Sequence, residues 1–485
     1  MTTAVLERPK TTAVKQQQTI QVVRPWLGLS VVLMATLMNL LDSSVVNVAA
    51  PAILRELGGS FASLQWISAG YTLALAVGLL TGGRLGDMFG RKRMLMMGGA
   101  GFTIASLACA IAWSPETLIA ARVAQGLFAA VMVPQCFGLI RDLFSPQDMA
   151  KAFGIFGPAI GLATILGPVI SGLLTEAAGW RSIFLINLPL GAYVLIMGRK
   201  ALPSRKPVSA SKSLDVAGML MAGAGMFLLV YPLVQGREIG WPAWTLAMLA
   251  ASIPVLAGFG IYQLRRAASG RIPLVRLTMF AKRSYSSGVV FVIVFFGAIV
   301  GFSLAIGVFL QLGLGYSAMK ASLTMAGWAI GAFAGSAVSA MTMAKLGRRV
   351  LHNGLAIMGV GVAIFLTVVL TAGTSVSGWL LALPLLVYGF GMGQIFVPLF
   401  DIIMGDVSDS EVGSASSSLE ALQQLGASLG VAILGTVFFG ASGLEGVSTG
   451  NPMDAVALVT AIALGLTVVT FALGFLLPKK ARAAH

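Results

Sequence analysis

The stretch that decides the fold is Gly83-Arg84-Leu85-Gly86-Asp87-Met88-Phe89-Gly90-Arg91-Lys92-Arg93. It lies between two apolar runs, Leu64–Leu80 and Met94–Trp113. Three glycines, one acid and four bases are more than a mere connector needs. Glycine lets two helix ends approach closely, and an acid there, Asp87, can lie against the positive end of a neighbouring helix. The spacing predicts a tight loop between two membrane-crossing helices.

The rest of the chain agrees. Of its 485 residues, 57% are hydrophobic and only 10% charged, with a mean hydropathy of +0.91. A soluble domain carries about 25% charged residues, so that class is excluded. Apolar runs of about 20 residues, enough to cross a bilayer, recur almost end to end. Fourteen spans are predicted, near 26–50, 64–81, 94–113, 116–140, 152–175, 183–198, 214–235, 243–264, 285–311, 321–344, 350–371, 379–404, 414–439 and 453–477. The polar start has no convincing cleavage site and is followed by a run too long for a signal-peptide core. It is expected to remain as a cytoplasmic tail.

The formal net charge of +15 invites a nucleic-acid reading, which its placement refutes. With the amino terminus inside, cytoplasmic segments hold 27 of the 32 Lys and Arg residues. Arg55, Arg181, Arg237 and Lys320 fall outside, and Arg122 falls within a span. This is the positive-inside asymmetry, and it predicts a cytoplasmic membrane protein with both termini in the cytoplasm. Cys109 and Cys136 fall at different depths by helical rise, so they read as small packing residues and not as a disulfide.

The spans divide into two sets of six around two extra. Ala344-Lys345-Leu346-Gly347-Arg348-Arg349, after the tenth span, is a worn copy of the 83–93 stretch after the second. Duplicated halves around a central site are a known carrier plan. The expected division is a tail (1–25), a six-helix bundle (26–198), basic linkers with two inserted helices (199–284), a second six-helix bundle (285–477) and a tail (478–485). The fold class is therefore all-α and integral to the membrane. Ser213 or Asp215 reads as a helix-start residue. Most of the 59 glycines suit close helix packing. Gly161, Gly167, Pro168 and Gly172 in the fifth span are the exception, because a proline flanked by glycines weakens a helix at one place.

Ionisable residues inside a span cost about 2.5–3.5 kcal/mol each on insertion scales, so each calls for an explanation. Four candidates stand out: Asp42, Arg122, Asp401 and Glu420. Asp42 lies roughly 12 Å from the outer end of span 1, and Arg122 roughly 10 Å from the outer start of span 4. Equal depth and opposite charge place them face to face or in one cavity. One reading is a static ion pair; the other is a carboxylate that gains and loses a proton as its basic partner moves. Asn39, Ser43 and Asn47 share its helical stripe, and with Gln125, Gln423 and Gln424 they are the polar candidates for a substrate cavity. Glu420 lies about 10 Å inside span 13 and reads as a second proton or cation site or as a contact at the cytoplasmic rim. Asp401 reads as a further coupling candidate or as an interfacial acid.

These stretches resemble the major facilitator superfamily, and in particular its fourteen-span drug:proton antiporters. Leu41-Asp42-Ser43-Ser44-Val45-Val46-Asn47-Val48-Ala49-Ala50-Pro51 is similar to that branch's first-span signature. So is Trp180-Arg181-Ser182-Ile183-Phe184-Leu185-Ile186-Asn187-Leu188-Pro189-Leu190-Gly191 to a motif specific to it. The resemblance implies that Gly83, Gly86, Asp87, Gly90 and Arg91 form a cytoplasmic gate, with Asp87 docked on a helix end and Arg91 in a charge bridge. It implies that Arg122, in Arg122-Val123-Ala124-Gln125-Gly126, serves proton coupling, and that Gly161 to Gly172 is the antiporter motif, with Ser171 where a glycine is usual. In the thirteenth span Gln423 stands where the family has arginine. With Glu420 beside it, this reads as a preference for cationic cargo or as a changed coupling ratio.

The resemblance implies export of hydrophobic small molecules, cationic ones among them, in exchange for protons. Twenty-three methionines and 26 phenylalanines suit an adaptable apolar pocket, as they suit packing and lipid contact. A dedicated exporter of one metabolite or self-made antibiotic is the alternative, and an uptake symporter is open on physics alone. A membrane-embedded enzyme or redox subunit lacks its parts, since the only histidines are His352 and His485. The expected partners are a small-molecule substrate, protons and the lipid bilayer. No metal, other cofactor, ATP or nucleic acid is expected, and no Walker loop is present.

Overall fold

The structure is a computed structural model that describes residues 24–145, 148, 152, 167, 169–204, 214–236, 239–271, 273–275, 277–372, 376–404, 412–443 and 450–478. Among the described residues every regular element is helical. The helices are α1 (Pro25–Leu57), α2 (Phe61–Phe89), α3 (Arg91–Ala110), α4 (Pro115–Leu143), α5 (Val169–Ala178), α6 (Ser182–Ala201) and α7 (Val216–Gln235). They continue with α8 (Ala243–Ala268), α9 (Arg283–Val308, prolonged by a π-turn over Phe309–Gly313), α10 (Ala318–Leu346), α11 (Arg348–Ala372), α12 (Gly378–Met404), α13 (Val412–Ser442) and α14 (Pro452–Gly474). Thirteen of them are long and apolar enough to cross a membrane. The fifth expected span lies mostly outside the described residues, and α5 is its far end.

Polar residues open five of the helices, where four backbone N–H groups lack partners. Ser60 with Ser63, and Ser114 with Thr117, form capping boxes before α2 and α4, and Pro115 follows at the first helical position. Ser317 caps α10 and Asn451 caps α14. The cap of α7 is Asp215, whose carboxylate accepts from Gly218 N–H at 3.0 Å, Tyr262 Oη at 2.9 Å and Gln263 Nε2 at 2.8 Å. That one residue ties the start of α7 to the end of α8.

The 83–93 stretch is not the loop its composition predicts. Helix α2 runs on to Phe89 and α3 starts at Arg91, so Gly90 alone breaks the path. Its φ of 93° lies in the left-handed region, open to glycine without a side-chain clash. Gly347, with φ of 51°, does the same between α10 and α11. Just past each break a base reaches across the bundle to the carbonyls that end another helix. Lys92 Nζ donates to Arg199 O at 2.9 Å and Leu202 O at 2.7 Å, and Arg348 donates to Phe475 O at 3.0 Å and to Leu477 O. The α2–α3–α6 and α10–α11–α14 groups thus share one construction.

Close approach repeats as well. A Cβ at Gly82 would lie 1.9 Å from Ala130 O, so α2 lies backbone to backbone on α4. In the other half a Cβ at Gly389 would lie 1.9 Å from Trp328 O, joining α12 to α10.

The halves meet along α2 and α13. Phe61 and Phe439 stack at 4.5 Å, Thr72 Oγ1 donates to Ser428 Oγ at 3.2 Å, and Gly83 sits beside Ser417. Two further bridges lie at the end of the molecule that carries Trp180. Gln311 Nε2, in the π-turn, donates to Val48 O on α1 at 2.7 Å. Glu176 Oε2 accepts from Met319 N–H at the start of α10, at 3.2 Å. The pair α7–α8 leans on the α2–α13 seam from outside, where Thr436 Oγ1 donates to Leu233 O at 2.9 Å and Trp66 meets Phe227 and Tyr231.

Candidate functional site

The deepest polar cluster is built by α1, α3, α4 and α6. Asp42 and Arg122 are each 1% exposed, and Gln125, Ser106 and Asn187 are fully buried. Arg122 Nη1 donates to Asp42 Oδ2, and also to Gln125 Oε1 at 2.6 Å. Its Nε donates to Ile67 O at 3.1 Å. Gln125 Nε2 donates to Asp42 Oδ1 at 2.8 Å and to Ser106 Oγ at 2.7 Å. Asn187 Nδ2 donates to the same Asp42 oxygen at 3.0 Å. The guanidinium lies 4.1 Å from the centre of the Tyr71 ring, which places its charge over the π face.

Each of these groups has a reason to be where it is. Arg122 and Gln125 are three residues apart on α4 and so share a face. Ser106 turns towards that face from α3, its hydroxyl hydrogen donated to Phe102 O at 2.9 Å and its oxygen left to accept. Asn187 begins the long part of α6 just after the short turn Ser182–Leu185. A carboxylate in an apolar interior is tolerated when it is paired and fully hydrogen-bonded, and Asp42 is both. Chemically, the site pairs one carboxylate with one guanidinium and, among the described residues, surrounds the carboxylate with hydrogen-bond donors only.

The other residues singled out by sequence lie elsewhere. Asn39 accepts from Tyr71 Oη at 2.6 Å, and Ser43 Oγ donates to Leu40 O on its own helix. The Asn47 side chain lies outside the described residues. Gln125, expected in a substrate cavity, has no exposed surface, because all its polar atoms are taken up by Asp42, Arg122, Ser106 and Cys109. Asn39, 6% exposed, is likewise turned to a partner and not to open space. Glu420, Gln423 and Gln424 are partly accessible on α13. Among the described residues, the hydrogen bonds of the Asp42 cluster do not extend to them. Asp401 is in the last turn of α12 and Asp87 in the last turn of α2, both with side chains outside the described residues.

Arg91 donates to Gly138 O at 3.2 Å and pairs with Asp142 at 3.3 Å, joining the α3 start to the end of α4. Gly86 faces Gln135, where a Cβ would come within 1.9 Å of its amide oxygen. Gly161 and Pro168 lie outside the described residues, and Gly167 is buried. Gly172 marks a close crossing of α5 and α10, since a Cβ there would lie 2.4 Å from Ser322 Oγ. Sequence reasoning assigned no part to Asn187, Ser106 or Tyr71. Asn187 had one signal, its place in the Trp180–Gly191 motif.

A helical membrane protein of two like halves, with a charged cluster buried in one of them, is the build of a carrier. The chain belongs to the Major Facilitator Superfamily, whose family profile matches residues 32–431. It is thus a multi-pass membrane transporter of small molecules, not an enzyme. It is 45% identical over 427 residues to the probable actinorhodin transporter of Streptomyces coelicolor, covering 87% of this chain and 74% of that protein. It is 33% identical over 420 residues to the tetracenomycin C resistance and export protein of Streptomyces glaucescens, covering 85% and 76%. Its fold matches the crystal structure of a peptide transporter, POT, in complex with sulfate, with a TM-score of 0.67 at 17% identity, covering 93% of this chain and 95% of that one.

Proposed function

We propose that the protein exports antibiotic-like or drug-like hydrophobic molecules across the cytoplasmic membrane in exchange for protons. The observation that carries the proton part is the buried Asp42–Arg122 pair with its ring of amide donors. With Asp42 ionised the pair is neutral overall. A proton on Asp42 leaves Arg122 with one uncompensated charge in an apolar interior, where it leans on Ile67 O, Gln125 Oε1 and the Tyr71 ring. A change of that size favours a different packing of the helices around it. Alternating access then exposes Asp42 to one side when protonated and to the other when free. The direction of transport is supported by the relatives named for export of actinorhodin and tetracenomycin C.

The basic residues, 27 of 32 on one set of loops, support both termini in the cytoplasm. Energy comes from the proton gradient, with no cofactor, ATP or nucleic acid in the cycle. A dedicated exporter of a single compound is the second reading, favoured by the relative at 45% identity being named for one. The test is efflux of ethidium and of a neutral dye from cells expressing wild type or Asp42→Asn, with and without a protonophore. Protonophore-sensitive efflux that vanishes in the variant is expected. Equal efflux from both proteins removes Asp42 from the mechanism, and no efflux of either dye from well-expressed protein favours the dedicated exporter.

A further inference from the structure

Three groups donate to the Asp42 carboxylate: Arg122, Gln125 and Asn187. An ionised carboxylate only accepts, so three donors suit it, but a protonated one must donate and needs an acceptor. Arg122 has no acceptor atom. Gln125 has one, but its Oε1 already accepts from Arg122 at 2.6 Å and from Cys109 Sγ at 3.7 Å. Turning the Gln125 amide over would press its NH2 on the guanidinium and its oxygen on the carboxylate. Gln125 is therefore locked.

Asn187 is not. Its Nδ2 faces Asp42, while its Oδ1 is buried with no hydrogen-bond partner. A buried amide oxygen left unpaired is costly, and nothing else at the site needs it in the ionised state. We propose that Asn187 reads the protonation state of Asp42 by rotating its amide half a turn, presenting Nδ2 to the carboxylate and Oδ1 to the carboxylic acid. The step balances simply. A hydronium ion from the aqueous side gives up one proton, its O–H bond breaking to leave water as an O–H bond forms at Asp42 Oδ1; no other covalent bond changes, and the N–H···O bond to Asn187 is replaced by O–H···O at the same place. Among the described residues Asn187 offers the one unoccupied acceptor on a group already bonded to Asp42. The ionisable groups facing the site are Arg122 from α4, Tyr71 from α2 and Cys109 from α3, with Glu420 of α13 acting on Tyr71 through space; Arg122 has no acceptor atom, and Tyr71 and Cys109 are bonded to Asn39 and Gln125. This makes Asn187 a positioning residue. It rests on the reading of Asp42 as the proton carrier.

The experiment is infrared difference spectroscopy of the purified full chain across a pH titration, with asparagine side chains carrying 13C at the carbonyl. The chain has only five asparagines, so the amide region is sparse. The carboxylic-acid band of Asp42 is assigned by its loss in Asp42→Asn, and the Asn187 band by its loss in Asn187→Leu. The expected result is that the Asn187 carbonyl band shifts with the same midpoint as the Asp42 band. In Asn187→Leu the asparagine carbonyl shift that accompanies the Asp42 band is lost while the Asp42 band itself is retained. If Asn187→Leu does not accumulate, the asparagine shift of the wild type must vanish in Asp42→Asn. An Asp42 band that titrates while every asparagine band stays fixed overturns the amide rotation alone. No band lost in Asp42→Asn at any pH overturns the proton-carrier reading, and this inference with it.

Discussion

Among the described residues at the Trp180 end, Gln311 donates to Val48 O and Glu176 accepts from Met319 N–H, joining the two halves. In a carrier these must part whenever that end opens, so removing them should bias the protein towards the open form. The magnitude follows from their settings. Gln311 is 8% exposed, and a hydrogen bond between helices in a membrane averages about 0.6 kcal/mol, with a maximum of about 1.7. Glu176 is exposed, and an anion at a helix start is worth about 0.3–1 kcal/mol. Together they hold the closed form by about 1–1.5 kcal/mol, so Gln311→Leu with Glu176→Ala should shift the closed-to-open ratio roughly tenfold. Spin labels at Trp113 and Trp379, 77% and 86% exposed, report the separation by pulsed electron paramagnetic resonance. The native Cys109 and Cys136 are buried and free, and are replaced by Ala or Ser before labelling. A longer-distance population should grow by about that factor. A distribution unchanged from the parent would refute the view that these contacts latch the gate.

Two further outcomes are expected. Gly82→Val should prevent accumulation of folded protein, because even a Cβ at that position would fall 1.9 Å from Ala130 O and neither backbone can give way; size-exclusion chromatography of the solubilised variant checks it. Glu420→Gln should lower export of ethidium more than export of a neutral dye of similar size, and equal loss of both would assign Glu420 to coupling or folding instead.

Much of this was legible in the sequence, for identifiable reasons. Hydropathy is a one-dimensional signal, so thirteen of the spans could be read directly. Depth is also one-dimensional, which is why helical rise brought Asp42 and Arg122 to one level, and in the structure their side chains touch. Azimuth is not. Which face Gln125 turns inward depends on its neighbours, and counting could not tell a cavity-lining amide from one closed into a network. Asn187 follows Ile186 at the join between two helical pieces of α6, where a helical period does not predict direction. The 83–93 stretch reads as a loop because its glycines and charges lie together in the sequence. Only the backbone shows that Gly83 and Gly86 are helical contact positions and Gly90 the turn.

The central claim is that Asp42 carries the proton that drives export. Its most direct measurement uses purified protein in liposomes containing a pH-sensitive dye, with an imposed gradient of ethidium and no initial pH difference. Movement of ethidium down its gradient should drive protons the opposite way in the wild type, and Asp42→Asn should give no proton movement while still folding and inserting. Ethidium flux accompanied by equal proton movement in both proteins would contradict the account.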